Sequence, residues 1–283
     1  MSLTILLVVL ASAIAHASWN AWVKSTGNAR LAMALISGAW CIFALAYAPL
    51  LRPLAMASVP YLIASAIVHI GYLLGLSRLY AKSDLSRAYV LLRALPPAVV
   101  TLASVLVLRE HLPLAKAASV FVIVLGVLLV APPTRSVWEK KTLLALALTV
   151  GTIATYTLID GVGARKSGDA KSYGVLLGAC QGAMYLVLIA AREARALWAF
   201  AKVRWRGGLL AGLTSMTAYT SVLWSMTHAP LGVVAAVRET SVLVAAFLGG
   251  ALLGERVPRG AYVGAVLVTL GIAGLQLAGQ AAH

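Results

Sequence analysis

Residues 83–113 read SDLSRAYVLLRALPPAVVTLASVLVLREHLP, and residues 229–258 read APLGVVAAVRETSVLVAAFLGGALLGERVP. A shift of 145 residues superimposes four pairs of identical residues, which are Arg93 on Arg238, Glu110 on Glu255, Pro113 on Pro258 and, further on, Gly126 on Gly271. Four coincidences at this one offset, which we call the repeat shift, indicate an internal repeat. Each stretch also carries an arginine deep within an apolar run, where a charged side chain is costly and usually has a function.

The composition indicates an all-α membrane protein. Of the 283 residues, 61% are hydrophobic and 11% are charged, whereas a soluble domain carries about 25% charged residues. The apolar residues form blocks of roughly 20, the length with which a helix crosses the bilayer, and a backbone in lipid must satisfy its own hydrogen bonds. The blocks predict ten transmembrane helices at about 3–23, 31–51, 58–80, 86–108, 114–131, 142–162, 172–191, 207–227, 231–253 and 259–279.

The basic residues predict the orientation in the membrane. The net charge of +15 invites a nucleic-acid reading, but the Lys and Arg residues lie mostly in the short connectors between apolar blocks. Connectors after odd-numbered spans hold 15 of them, and connectors after even-numbered spans hold 6. The positive-inside rule therefore places both termini outside, and no nucleic-acid partner is expected. The connector at 192–206, REARALWAFAKVRWR, fits a short helix on an anionic leaflet and a basic loop equally well.

Five spans in each half require the two halves to be inserted in opposite orientations. We predict two inverted five-helix repeats, residues 1–133 and 134–283, around a central cavity. Inverted repeats are a transporter architecture, in which the substrate site lies near the midplane where the halves meet.

The duplicated unit resembles the EamA-type members of the drug/metabolite transporter superfamily. The resemblance rests on HASWNAWVKS in the first span, SDLSRAYVLLRALPP entering the fourth, and LREHLP and LGERVP ending the fourth and ninth. It covers essentially the whole chain, and within the superfamily the chain looks closest to a branch associated with phosphonate utilisation. The resemblance implies a ten-helix carrier that moves small metabolites by alternating access, without implying a substrate.

The two repeat-related arginines are the first candidates for substrate binding. Arg93 and Arg238 approach the midplane from opposite faces, so each should face the bundle interior or water. A guanidinium suits a carboxylate, phosphate or phosphonate; the alternative is an internal ion pair that locks or gates the halves. Glu239 follows Arg238 directly, but consecutive residues of a helix point about 100° apart, so a partner from another helix is expected.

Acidic residues and prolines in the spans are candidates for coupling or gating. Glu239 and Asp160 could bind a substrate amino group or take up a coupling proton, although Asp160 could equally be a solvated helix end. Pro96 and Pro97 free backbone carbonyls and bend the fourth span, as a hinge or as a static kink. Glu110 is expected to have a structural role at a helix end.

Several polar and aromatic residues could line the cavity, although packing is the alternative for each one alone. These further substrate-binding candidates are Trp19, Asn20, Tyr72, Tyr156, Tyr219 and Trp224. Glycine pairs with GxxxG spacing at 71/75, 178/182, 208/212, 250/254 and 260/264 indicate close helix packing, within the bundle more often than in a homodimer.

The sequence as a whole predicts a secondary transporter in the cell (inner) membrane. Its expected cargo is an amino acid, a related zwitterion or an organic anion, with export as one open direction and protons or exchange as the energy source. No G-x-x-x-x-G-K-[ST] motif is present, and no cofactor or metal is expected. An intramembrane enzyme is the alternative, but H-E-x-x-H and G-x-S-x-G are both absent. The sequence also leaves open a translocator of lipid-linked intermediates, a channel and a scaffold.

Overall fold

The computed structural model describes residues 1–80, 85–130, 140–253 and 257–280, with side chains described over 1–72, 93–130, 143–247 and 257–278. The described residues form helices joined by short turns. The helices are α1 Leu3–Ser25, α2 Ala29–Tyr47, α3 Val59–Tyr80, α4 Leu85–Leu106, α5 Leu114–Val130, α6 Lys140–Lys166, α7 Ala170–Met226, α8 Leu231–Arg238, α9 Ser241–Leu253 and α10 Arg259–Gln280. The predicted repeat boundary at 133/134 and Glu255 lie outside the described residues.

The helices follow the predicted spans except in two places. The seventh and eighth spans are one 57-residue helix, α7, which is interrupted at Glu193 with non-helical φ −139° and ψ 33°. The basic connector at 192–206 is therefore helical and continues the eighth span, so the loop reading is wrong. Residues 194–226 would extend about 50 Å at 1.5 Å per residue, well beyond a bilayer core of about 30 Å.

The ninth span is the second departure, because it consists of two helices rather than one. α8 ends at Arg238 and α9 begins at Ser241. At the interruption the hydrogen bonds tighten: the amides of Glu239, Thr240 and Val242 each donate to a carbonyl three residues back, at 3.0–3.1 Å. Such a 3₁₀ stretch inside a helical span often marks a hinge.

Glycines bring the helices into close contact within the chain. Gly178 and Gly182 in the first part of α7 pack on Trp40 and Ser37 of α2, and Gly212 in its second part packs on the same helix. α2 thus lies between the two parts of α7. The 178/182, 208/212 and 260/264 pairs serve packing inside the chain, whereas a side chain at Gly71 would meet nothing within 4 Å.

α5 and α10 pack reciprocally. A Cβ on Gly126 of α5 would lie 2.8 Å from the Gly264 carbonyl oxygen of α10, and a Cβ on Gly271 of α10 would lie 2.9 Å from the Ser119 carbonyl oxygen of α5. The repeat shift carries Gly126 onto Gly271 and Ser119 onto Gly264, so it turns each of these contacts into the other. Contacts of this reciprocal kind arise around a two-fold axis.

The outer surface of the bundle is apolar. Large hydrophobic side chains are exposed on many helices, among them Leu45 at 75%, Phe121 at 67% and Leu210 at 67%. Among the described residues, five helices are long and apolar enough to cross a membrane, and three shorter apolar helices accompany them. The long helices include α7, whose two parts cover two of the predicted spans. These features make the chain a multi-pass membrane protein.

Candidate binding site

Two arginines from different helices pair with one carboxylate at the interruption of the ninth span. Nε and Nη2 of Arg238 both donate to Oε1 of Glu239, at 3.2 and 2.9 Å. Arg93 reaches across from α4, with its Nε atom 3.3 Å from Oε2 of Glu239. All three side chains are buried, with exposures of 6%, 6% and 2% for Arg93, Arg238 and Glu239. A single carboxylate therefore bridges both guanidiniums.

This geometry corrects one expectation. Arg238 pairs with its own neighbour, Glu239, as well as sharing it with Arg93 of another helix. The expectation assumed a continuous helix, in which neighbouring side chains diverge. The helix ends at Arg238, and the interruption turns both side chains to one side.

His16 of α1 completes the group, which we call the arginine cluster: His16, Arg93, Arg238 and Glu239. Nη2 of Arg93 contacts Nε2 of His16. A guanidinium only donates hydrogen bonds, so Nε2 of His16 accepts and the imidazole is neutral with its proton on Nδ1. Trp19 lies edge-on to the His16 ring, with ring centroids 4.9 Å apart. The arginine cluster thus joins α1, α4 and the α8/α9 interruption.

A second group, the carboxyl cluster, surrounds Asp160 of α6. Asp160 is fully buried and accepts a hydrogen bond from the Tyr219 hydroxyl of α7. Ser65 of α3 and Tyr173 of α7 interact with the same carboxyl group. Burial contradicts the alternative of a solvated helix end, because α6 continues to Lys166 and places Asp160 inside the bundle.

Aromatic rings connect the two clusters. The His69 ring stacks on Tyr156 with centroids 3.9 Å apart, and Tyr72 meets Tyr156 edge-on at 5.7 Å. Nδ1 of His69 lies 3.0 Å from the Ser65 carbonyl oxygen, so this nitrogen carries a proton and donates it to the carbonyl. Tyr156 and Asp160 both interact electrostatically with Arg238.

Most sequence-predicted site residues therefore lie in or beside the two clusters. Asn20 is close as well, but its amide donates to the His16 carbonyl of its own helix at 2.7 Å. Pro96 and Pro97 are buried one turn after Arg93 within a continuous α4. Trp224 is the exception: its ring packs on His228 at 4.5 Å, near the end of α7 and away from the described contacts of both clusters.

Sequence reasoning missed Ser65 and Tyr173 and gave His16 no role beside Arg93. A small polar residue or a tyrosine in an apolar span carries no periodic signal, and its partner depends on how the helices pack.

Three further polar atoms are buried and have no hydrogen-bond partner among the described residues. They are Nε1 of Trp19, Oγ1 of Thr240 and Oγ of Ser241. Trp19 packs on His16, and Thr240 and Ser241 follow Glu239 in the chain, so these three atoms could donate to a molecule bound at the arginine cluster. Within the part of the chain that the structure describes, no three His, Cys, Asp or Glu residues form a group that could hold a metal ion.

A third polar contact holds the start of α8, and we call it the α8 clamp. Oε1 of Glu110, after α4, pairs with Nη1 of Arg165, near the end of α6, at 2.5 Å. Oε2 of Glu110 accepts the Leu231 amide at 3.1 Å and so caps α8 from another helix. Arg165 also donates to the Met226 and Ala229 carbonyls. Glu110 thus has the structural role at a helix end that its position suggested, and it lies at a shallow surface depression that His111 and Thr227 also line.

A bundle of membrane-spanning helices with buried arginines and carboxylates at an interrupted span has the features of a membrane transporter. The match to a known family agrees with that class. Residues 140–277 match the family model described as EamA-like transporter family. The match confirms the resemblance to EamA-type transporters of the drug/metabolite superfamily, a family whose members are transporters.

Solved structures share the fold. One described as "Crystal structure of protein" aligns over 100% of both chains with a TM-score of 0.75 and 14% sequence identity, and 27 chains match in all. At that identity the similarity concerns the fold alone. No curated protein matches the chain.

Proposed function

We propose that the protein is a secondary transporter that carries a small metabolite with a carboxylate, such as an amino acid or an organic anion, by alternating access. This proposal rests on one observation: the two carboxylate oxygens of Glu239 bridge Arg93 and Arg238. The fold already presents two guanidiniums at the spacing that a carboxylate requires, in a buried setting where charge-assisted hydrogen bonds are strong.

Two inverted five-helix repeats would explain why the two arginines meet. α5 begins at Leu114 and α10 at Arg259, and these two starts are related by the repeat shift, as Arg93 and Arg238 are. The reciprocal packing around Gly126 and Gly271 also supports a two-fold relation between the halves. Each arginine is about 10–12 Å from the start of its helix. Inverted repeats would bring the two to a common depth from opposite faces.

Weak points in two spans support a gating role beside the arginines. The ninth span is interrupted at Glu239 and Thr240, and the repeat shift places Pro96 and Pro97 against Ser241 and Val242. Prolines free carbonyls in α4, and the 3₁₀ turn replaces regular hydrogen bonds between α8 and α9. A discontinuous helix at the substrate site is a transporter device that permits bending around a fixed centre.

The coupling ion in this proposal is a proton, taken up by a buried carboxyl group, either Glu239 or Asp160. The protein is placed in the inner membrane with both termini outside, which puts the α8 clamp on the outer side. The clamp fastens α4, α6 and the start of α8 together there. We therefore assign the described arrangement to a state closed toward the outside.

Flux into liposomes that contain the purified protein tests the proposal. Panels of anions, zwitterions and cations would be compared with and without a pH gradient. Saturable flux of carboxylates, lost in Arg238→Gln but kept in the exposed control Arg52→Gln, is the expected result. Size-exclusion profiles establish that the variant is folded. Flux of cations alone, insensitive to Arg238→Gln, would make the arginines structural.

A further inference from the structure

We propose that Glu239 is a built-in competitor of the transported carboxylate: it occupies both arginines in the empty transporter, gives way when substrate binds, and takes up one proton as it does so. This inference rests on the proposed transport function and deepens it. It concerns how the site recognises its substrate and why protons would accompany the substrate.

Competition follows from the contacts that Glu239 makes. Its Oε1 atom accepts two hydrogen bonds from Arg238, and its Oε2 atom faces Nε of Arg93 at 3.3 Å. A substrate carboxylate that bridges the same two guanidiniums needs the positions of these two oxygens. Substrate and Glu239 therefore exclude one another from the bridging position.

The repeat points to the same role. The repeat shift relates Arg93 to Arg238, but it carries Ala94 onto Glu239. The duplicated part of the site is thus the pair of guanidiniums, and the carboxylate is an addition in the second half. Glu239 also stands at the tight turn between α8 and α9, where its φ and ψ of −72° and −4° differ from the regular helix. A small change at this turn can move the Glu239 side chain without moving α4.

Proton uptake follows from burial. Glu239 is 2% exposed, and a carboxylate that loses its cationic partners in such a place is costly, whereas a carboxylic acid is tolerated. Without substrate, Arg93, Arg238 and ionised Glu239 together carry a single positive charge. If Glu239 is protonated when a monoanion binds, the two arginines, Glu239 and the anion together carry the same charge. One proton then enters the site with each anion.

The groups that face Glu239 from the neighbouring helices are less suited to take this proton. Arg93 of α4, Arg238 of α8 and Tyr156 of α6 interact with Glu239 itself. His16 of α1, His69 of α3 and Asp160 of α6 interact with its partner Arg238. A proton on His16 would add a third cation beside two guanidiniums. Asp160 accepts its hydrogen bond from Tyr219, which is not one of the groups that the substrate would displace in this proposal. Glu239 is the group that loses its two guanidinium partners when substrate binds, so it is the group that takes up the proton.

Equilibrium dialysis of the purified full chain in detergent against radiolabelled acetate tests the proposal. Between about pH 8 and about pH 6, where acetate stays ionised, the wild-type affinity should rise about tenfold for each unit of falling pH, because one proton binds with each anion. Glu239→Gln should bind acetate at least about tenfold tighter than wild type at the higher pH and should show no pH dependence. Adding Arg238→Gln to that variant should abolish binding.

Glu193→Gln is the matched control, because it makes the same chemical change at a surface ion pair with Arg30. It should bind acetate as wild type does. Glu239→Asp, which keeps the charge, should retain the wild-type pH dependence and serves if the Gln variant does not fold. Three results would overturn the proposal. They are acetate binding that is no tighter in Glu239→Gln than in wild type, a pH dependence of binding that persists in Glu239→Gln, and no acetate binding by either protein. If one of these results were found while the liposome assay showed carboxylate flux that Arg238→Gln abolishes, the competitor role of Glu239 would be wrong and the transporter assignment would remain supported.

Discussion

The Nε atom of Arg93 in α4 lies 3.3 Å from the Oε2 atom of Glu239, which stands at the interruption of the ninth span. This contact joins two stretches that are far apart in the sequence. It also makes Glu239 the shared partner of both repeat-related arginines, since Arg238 holds the other oxygen. A carboxylate between two guanidiniums is thus the internal contact of the site, and it is the contact on which the proposed recognition of a substrate carboxylate rests.

The reciprocal packing of α5 and α10 predicts matched effects on stability. Gly126→Ala and Gly271→Ala should each lower the free energy of unfolding by about 1–3 kcal/mol, because the new Cβ atoms would crowd backbone carbonyls at 2.8 and 2.9 Å. Gly71→Ala, with open space around it, is the control and should not destabilise the protein. Thermal unfolding in detergent measures all three. If one of the two α5/α10 variants were neutral, the packing would not be reciprocal.

Removing the Tyr219 hydroxyl should destabilise the carboxyl cluster. Asp160 is fully buried and accepts from Tyr219, so Tyr219→Phe leaves a buried carboxyl oxygen without this donor, at a cost of about 1–3 kcal/mol. Tyr262→Phe removes a hydroxyl from a residue that is 57% exposed and should have no effect. The same unfolding assay compares the two, and equal stabilities would contradict the described role of Tyr219.

The α8 clamp predicts a difference between two substitutions of Glu110. Glu110→Gln loses the ion pair with Arg165 but keeps an acceptor for the Leu231 amide, whereas Glu110→Ala loses both. The alanine variant should be less stable than the glutamine variant by about 1 kcal/mol, the usual worth of a helix cap. Chemical unfolding measures this difference. Identical stabilities would show that the cap contributes nothing.

Labelling with a membrane-impermeant maleimide tests the predicted orientation. In a variant whose native Cys41 and Cys180 are replaced, His228→Cys should react in intact cells. Trp198→Cys, on the helical connector, should react only after the membrane is opened. Both positions are exposed, so a lack of reaction reports the side of the membrane rather than burial. Labelling of Trp198→Cys alone in intact cells would reverse the orientation.

Much of the fold could be predicted because the bilayer limits it to helices of known length. The repeat shift and the depth of the two arginines also identified the pair that meets in the structure. The connector at 192–206 also carries a helical signal, because EARALWAFAKVR is rich in Ala, Arg, Leu and Lys, which favour helices.

Other features could not be found from the sequence for physical reasons. The pairing of Arg238 with Glu239 depends on an interruption of the helix, and Thr240 and Ser241 alone do not announce one. Tyr173 meets Asp160 because α6 and α7 pack side by side, and nothing in the local sequence of either helix encodes that register. Trp224 lies against His228 instead of the clusters, since one aromatic residue in a polar stretch does not define which helix face points inward.

The most direct test of the central claim compares a carboxylate with its own amide. Uptake of glycine and of glycinamide into liposomes would be measured under identical gradients, with acetate and acetamide as a second pair. If Arg93 and Arg238 bind the transported carboxylate, the carboxylates should show saturable uptake that the amides neither share nor inhibit. Equal uptake of the amides, or uptake of glycinamide alone, would contradict an arginine-centred site.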